Sequence, residues 1–527
     1  MKSLMPCREL MVLLTLALAP LAGCQQSTPS QGSGVPTQPA AAEVDAPQSP
    51  SPARAGGQLI EETWDAYSMQ GSRVGYAHTV ISKVAEDGRE LIRTWSEIRL
   101  SLKRAGQATE QQMTLTSWDT PDGRLVRFES QMSGGQSAVT SAGVVQGSQL
   151  RIDTTTAGRT QSQTVPWQAE WGGFFAAEQS LRRDPLKPGE SRTLRGLLPI
   201  MNVPADTHLE AVDYETVDLP SGKAKLLNVK HTIDLGGQKL ESIAWTSETG
   251  QTLKTFVLGV QQEAVRTTKA DALQQPGDKQ YDLLLASTVR LKGALPHPRE
   301  TKRAVYRAHL KSGSIAGLFS DCLAQRTRPI DNQTVELTVI AVRPKQPEEV
   351  AGAPKIQPPQ DADSAPNNFI QNDNPLITQM AAGVAPKEVD PWKIAYALEK
   401  LVHDTVQNKN FSTAFATAAD VARSLEGDCT EHAVLLAALC RARKIPARVA
   451  FGLVYYPPQK GFAYHMWNEA WIRDRWIPLD STLGQGGIAA DHIQLGDSNL
   501  AGGSPLADLL NVIQVFGRLE LEVLEAE

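Results

Sequence analysis

From about Leu59 to Thr268 apolar and polar residues alternate in short runs broken by turn residues. Three runs show the pattern: Arg93 to Leu102, Gly123 to Glu129 and Ala224 to Ile233. Period-two alternation between Asp-Gly, Ser-Gly and Gly-Gly turns predicts antiparallel strands with one wet face, in a large twisted meander or sandwich. Around Asp271 to Arg290 the pattern turns helical for a short span. Ala304 to Leu310 and Thr334 to Val342 then read as two strands with Cys322 between them, a small β module. At Asp390-Pro391 the period changes to that of a helix: Asp is an N-cap, Pro suits the first helical position, and Ile394, Ala397, Leu398, Leu401 and Val402 make one apolar face. A short helix from Thr417 to Leu425 follows, then a helix from Cys429 to about Arg443. Strands are expected at Ala447 to Tyr456, Tyr464 to Ile472 and Trp476 to Leu479. The fold class predicted is multidomain: an antiparallel β region followed by an α+β C-terminal domain.

At 527 residues the chain exceeds what one core usually holds. The divisions expected are a signal segment (1–23), a tether (24–58), the β-rich domain (59–270), the small β module (271–343), a Pro-rich linker (344–375), a catalytic domain (376–500) and a C-terminal segment (501–527). A net charge of −6 leaves no electrostatic footprint for nucleic acid, so polynucleotide partners are set aside. Lys2 and Arg8 precede an apolar run, Leu10 to Leu21, too short to span a bilayer comfortably. Leu21-Ala22-Gly23-Cys24 follows it and resembles a bacterial lipobox. That resemblance implies cleavage before Cys24 and acylation of it, so the protein would be exported and lipid-anchored in the cell envelope. Residues after Cys24 are Ser, Pro, Gln, Gly and Ala with almost no large apolar side chain, a tether of roughly 30 Å.

Cys429, His465 and Asp480 occur in that order, each at the edge of a different expected element. A thiol in the first turn of a helix is favoured as thiolate by unpaired N–H groups and the positive dipole end. Gly427 permits a sharp approach that would expose that thiol. An imidazole would take its proton and a carboxylate would orient the imidazole. Alternation places His465, Trp467, Glu469 and Trp471 on one face of their strand, with Trp467, Trp471 and Trp476 expected to wall a dry cleft. A simple turn at Arg473 to Arg475 would leave Asp480 opposite Asn468 or Glu469, about 10 Å from His465. A bulge or shifted register is then needed, and Glu469 and Asn468 stay open as the orienting group.

His432, one turn past Cys429, shares its helix and so is poorly placed to face it; Asp428 and Glu431 read as capping or solvent-facing residues, and His403 and His492 as surface residues outside the motif. Cys429, His432 and Cys440 do not suit a metal, because eleven helical residues separate the sulfurs by about 16 Å. No cofactor is expected. Of the mature thiols, Cys322 and Cys440 are either bridged or buried and reduced, the second being favoured because a disulfide framework needs more cysteines.

Gly427-Asp428-Cys429, the Ala/Leu-rich helix with Arg441-Ala442, Ile445-Pro446-Ala447-Arg448, His465 with Trp467-Asn468-Glu469, and Trp476 to Asp480 together resemble the transglutaminase-like superfamily, whose core is papain-like. Lys444 stands where glycine is usual. The resemblance covers about Asp390 to Thr482 and implies Cys429 as nucleophile, His465 as base and Asp480 as third member. The activity it implies is thiol-mediated acyl transfer on amide bonds of a protein or peptide substrate. Water as acceptor makes a protease or amidase, and a lysine amine makes a cross-linker. The alternative is a non-catalytic envelope scaffold that binds partners through its β-rich region.

Overall fold

The computed structural model describes residues 57–104, 106–134, 137–235, 238–257, 261–275, 277, 281–343, 357–409, 416–502 and 510–527. The signal segment, Cys24 and the tether as far as residue 56 lie outside them, as do residues 344–356 of the expected linker.

Fourteen strands from Gln58–Met69 to Gln262–Thr267 make one sheet, antiparallel at every junction between neighbours. Its path is two meanders set back to back, joined where the first strand pairs with the last, Trp64 opposite Thr267. The alternation seen in sequence is the cause: in Gln149–Thr156 the side chains of Leu150, Ile152, Thr154 and Thr156 are buried while Gln149 and Arg151 are exposed.

A second sheet has nine strands. Those of the small β module (Val289–Lys292, Arg303–Leu310, Gln325–Pro329 and Thr334–Ile340) hydrogen-bond into the same sheet as Ala447–Tyr456, Gly461–Ile472, Arg475–Leu479 and His492–Ser498. The join is made by Val289–Lys292, antiparallel to Gly461–Ile472 on one side and parallel to the C-terminal strand Leu519–Ala526 on the other. Residues 367–371 are buried as well, so this part of the Pro-rich stretch packs into the fold.

Among the helices that accompany this sheet are Pro375–Gly383, Pro391–Thr405, Ala418–Ser424 and Cys429–Ala442. Asp390 follows the capping chemistry read from sequence, accepting from Trp392 N at 3.0 Å, and Thr417 caps the next helix by accepting from Asp420 N at 3.2 Å. The helix Cys429–Ala442 packs against the other three and against the strands Ala447–Tyr456 and Gly461–Ile472. Every residue from Cys429 to Arg441 is buried, consistent with a helix apolar on nearly all sides.

The two sheets share one continuous apolar core, which includes Leu102, Tyr281, Cys429 and Leu521. Polar ties cross the same boundary: Asn368 Nδ2 donates to Thr154 O at 3.1 Å, Ser137 Oγ to Asp420 Oδ2 at 2.9 Å, and Arg104 Nη2 to Asp428 Oδ2 at 2.8 Å. The last of these brings the large sheet to the residue before Cys429.

Candidate active site

The turn into the cysteine helix is built by Gly427, Asp428 and Glu431. Asp428 caps the helix by accepting from Thr430 N at 2.9 Å, and Glu431 reaches back to accept from Asp428 N at 3.0 Å, a reciprocal capping box. Gly427 has φ +150°, and a Cβ there would stand 2.3 Å from Glu431 Cβ, so only glycine fits this close crossing. Cys429 is thus in the first helical turn, where the dipole favours an anion.

Its exposure departs from expectation. Cys429 is only 1% exposed, so Gly427 does not present the thiol to solvent. Two packing facts account for this: the whole helix is enclosed by its neighbours, and Arg104 from the large sheet occupies the flank of the cap, itself 2% exposed. Asp428 and Glu431 cap as read, but buried rather than facing solvent. Burial first, and then the Asp428 charge, push the Glu431 carboxyl well above its usual range.

His465 and Asp480 come together. His465 Nε2 lies 2.8 Å from Asp480 Oδ2, with both side chains fully buried. No bulge is required. Arg473 and Asp474 have φ of +52° and +61°, a tight two-residue turn that pairs Trp471 with Trp476 and Asn468 with Leu479. Asp480 therefore leaves the strand one position further on, and its carboxylate reaches the ring from the strand end. The other two candidates are committed elsewhere: Glu469 accepts from Arg448 Nε at 2.8 Å, and Asn468 Nδ2 donates to Ala433 O at 2.8 Å, tying the histidine strand to the cysteine helix. Ser481 Oγ, donating to His432 O at 3.4 Å, ties the aspartate loop to the same first turns. His465 Nδ1, the ring atom not facing Asp480, is buried with no hydrogen-bond partner among the described residues. Trp467 stacks by His465, centroids 6.2 Å apart, whereas Trp471 and Trp476 pair with each other at the far end of the hairpin.

Two histidines read as surface residues are not. His403 is half-buried, with Nδ1 3.1 Å from Ser481 O. His492 is buried, and its Nε2 lies 3.1 Å from Asp480 Oδ2, the same oxygen that serves His465. Its Nδ1 lies 2.8 Å from Asp491 Oδ1. The local signal for it was an Asp-His pair opening the alternating run His492–Ser498, but only pairing across the sheet carries it to Asp480. His432 is excluded as a base by its contacts: Nδ1 sits 2.6 Å from Asp428 O and Nε2 3.0 Å from Lys409 Nζ, and burial together with the Lys409 charge lowers its pKa to about 3.

Burial opposes ionisation of Asp480, but the rings of His465 and His492 outweigh it and hold the carboxyl well below its usual range. Glu399, whose Oε1 accepts from Asp480 N at 3.2 Å and Gly487 N at 3.3 Å, is pushed up to about 8, chiefly by burial. Burial likewise pushes the Cys440 and Cys322 thiols up to about 12, and neither forms a disulfide. The donor atoms of His465, Asp480 and His492 lie within 4.8 Å of one another, the one such trio among the described residues. Hydrogen bonds of 2.8 and 3.1 Å to one shared oxygen account for that closeness without an ion.

The helix that begins at Cys429 packs on the strand that carries His465, and Asp480 reaches that histidine from the end of the return strand. Residues 378–481 match the family model of the transglutaminase-like superfamily, so the chain carries a transglutaminase-like domain there. No curated protein matches the chain. Among solved structures it is similar to a protein from Cytophaga hutchinsonii provisionally classed as a cysteine protease, at 18% identity and TM-score 0.27, covering 43% of this chain and 90% of that one. A β-barrel-like protein of unknown function from Brucella abortus matches at 7% identity and TM-score 0.30, over 39% of this chain and 95% of that one. A protein from Parabacteroides distasonis provisionally classed as a protease matches at 10% identity and TM-score 0.18, over 70% and 68%.

Proposed function

We propose that the C-terminal domain is a cysteine acyl-transfer enzyme acting on amide bonds of a protein or peptide, in a chain exported and lipid-anchored through Cys24. The observation that carries this is the buried His465–Asp480 pair, with Nδ1 of the ring left without a hydrogen-bond partner among the described residues, on a strand that packs against the cysteine helix. Asp480 accepts from Nε2–H and so fixes the tautomer that leaves the Nδ1 lone pair for the thiol proton. The Cys429 thiolate then attacks the amide carbonyl, the C–N bond breaks, and the amine leaves with a proton returned by His465. Water or a second amine resolves the thioester, giving hydrolysis or cross-linking. Trp467 and the surrounding core keep bulk water from the pair.

Burial of Cys429 favours a second reading, a folded module retained as an envelope scaffold. Labelling the intact protein with a thiol-directed electrophile at pH 7 separates them. An enzyme reacts at Cys429 ahead of Cys322 and Cys440, and His465→Ala suppresses that reaction; equal sluggishness of all three thiols means scaffold. Mass spectrometry of envelope proteins with and without Cys429→Ala then distinguishes lost cleavages from lost Gln–Lys isopeptides.

A further inference from the structure

His492 is the one buried histidine whose two ring nitrogens both meet carboxylates, Asp480 Oδ2 at 3.1 Å and Asp491 Oδ1 at 2.8 Å. A carboxylate only accepts, so each contact needs an N–H on the ring; a neutral imidazole would turn one lone pair onto an anion. The arrangement continues outward. Arg299, from the loop before Arg303–Leu310, pairs with the other oxygen of Asp491 and donates to Tyr455 O at 3.1 Å, and Arg343 Nη2 holds Arg299 O at 2.7 Å. The result is an unbroken row, His465, Asp480, His492, Asp491, Arg299, in which two anions alternate with two cations behind His465.

We propose that His492 is a positioning residue for this site, a standing imidazolium that holds Asp480 ionised and aimed at His465 while offsetting its charge. The inference rests on His465 and Asp480 acting as proposed above. Both imidazoles share Oδ2, so Asp480 is held from two sides and cannot rotate away from His465 without losing a charged hydrogen bond. The His492 charge, with its ring centroid 6.0 Å from that of His465, opposes a second imidazolium there. The groups facing His492 are Asp491 in the turn just before its strand, Asp480 and His465 across the sheet, and Trp467 edge-on at 5.3 Å. Beyond them stand Glu399 behind Asp480 and Arg299, Arg343, Tyr306 and Tyr455 around Asp491. Burial disfavours the charge on His492, but Asp491 and Asp480 outweigh it and raise its pKa, in keeping with the contacts.

Two measurements on the full chain test this. Isotope-labelled histidine NMR, with His492 assigned by its Gln variant, should keep both His492 N–H groups and the imidazolium shift through pH 7.5. The pH profile of Cys429 alkylation should move up by about one pH unit in His492→Gln, since a unit charge 6.0 Å from the His465 ring is removed. A merely structural role would lower the amplitude and leave the midpoint in place. If His492→Gln does not fold, Asp491→Asn should release the His492 proton below pH 7.5 and move the profile the same way. A neutral His492 at pH 7, or a midpoint unmoved in the folded variant, overturns the proposal. A charged His492 in a protein whose Cys429 never reacts instead defeats the enzymatic reading and leaves the charge assignment standing.

Discussion

Removing Arg104 tests whether the large sheet is part of the site or merely tethered to it. Its guanidinium donates to Asp428 Oδ2 at 2.8 Å, and the two side chains are 3% and 1% exposed. Water therefore cannot replace the lost partner in Arg104→Met, and Asp428 is left as a buried charge among its helix-cap contacts and the Glu431 carboxyl. Deleting one member of such a pair costs about 3–5 kcal/mol. Asp428→Asn keeps an equally good N-cap and an oxygen acceptor but leaves the buried Arg104 guanidinium without its counter-charge, so it too should cost about 3–5 kcal/mol. The double variant then measures the pair itself, and the coupling should be about 2 kcal/mol or more. Cys440 is a suitable reporter of unfolding in this domain: it is buried and its thiol is pushed up to about 12, so pulsed alkylation in a urea series detects it only once the domain opens. A coupling within the roughly 0.2–1 kcal/mol typical of solvent-screened pairs would refute the claim that the sheet seals the cap.

Other outcomes follow from the same geometry. Glu399 has a folded pKa raised to about 8, so the folded state holds a proton that the unfolded chain releases near its ordinary value. Its contribution is fully present at pH 4 and is lost as pH rises towards 8, with a slope approaching about 1.4 kcal/mol per pH unit; Glu399→Gln should flatten that part of the stability–pH curve measured by urea unfolding. Gly427→Ala puts a methyl group 2.3 Å from Glu431 Cβ at φ +150° and should lower stability by more than about 1–3 kcal/mol, read from the denaturation midpoint. Asp480→Asn removes the anion that both His465 and His492 face, and should cut the Cys429 alkylation rate at pH 7 by at least about tenfold, while a rate within twofold of the parent would count against the orienting role.

Much of the fold was legible along the chain because it is set by near neighbours. Period-two alternation fixed the strands of the large sheet, and Asp390, Thr417 and Asp428 marked helix starts through side chains that reach only two or three residues ahead. The same locality made Cys429 and Asp480 stand out at the edges of their elements, whereas His465, expected near a strand edge, lies inside Gly461–Ile472. Tertiary structure alone decided what those residues meet. The turn at Arg473 and Asp474 set the register that delivers Asp480, rather than Glu469 or Asn468, to the imidazole. Arg104 reaches Asp428 across 324 residues and Arg299 reaches Asp491 across 192, contacts that no periodicity encodes because they depend on which surfaces dock. Burial of the thiol and the place of His492 belong to that second kind: a side chain's neighbours in space follow from packing, and local pattern gives only the face on which it starts.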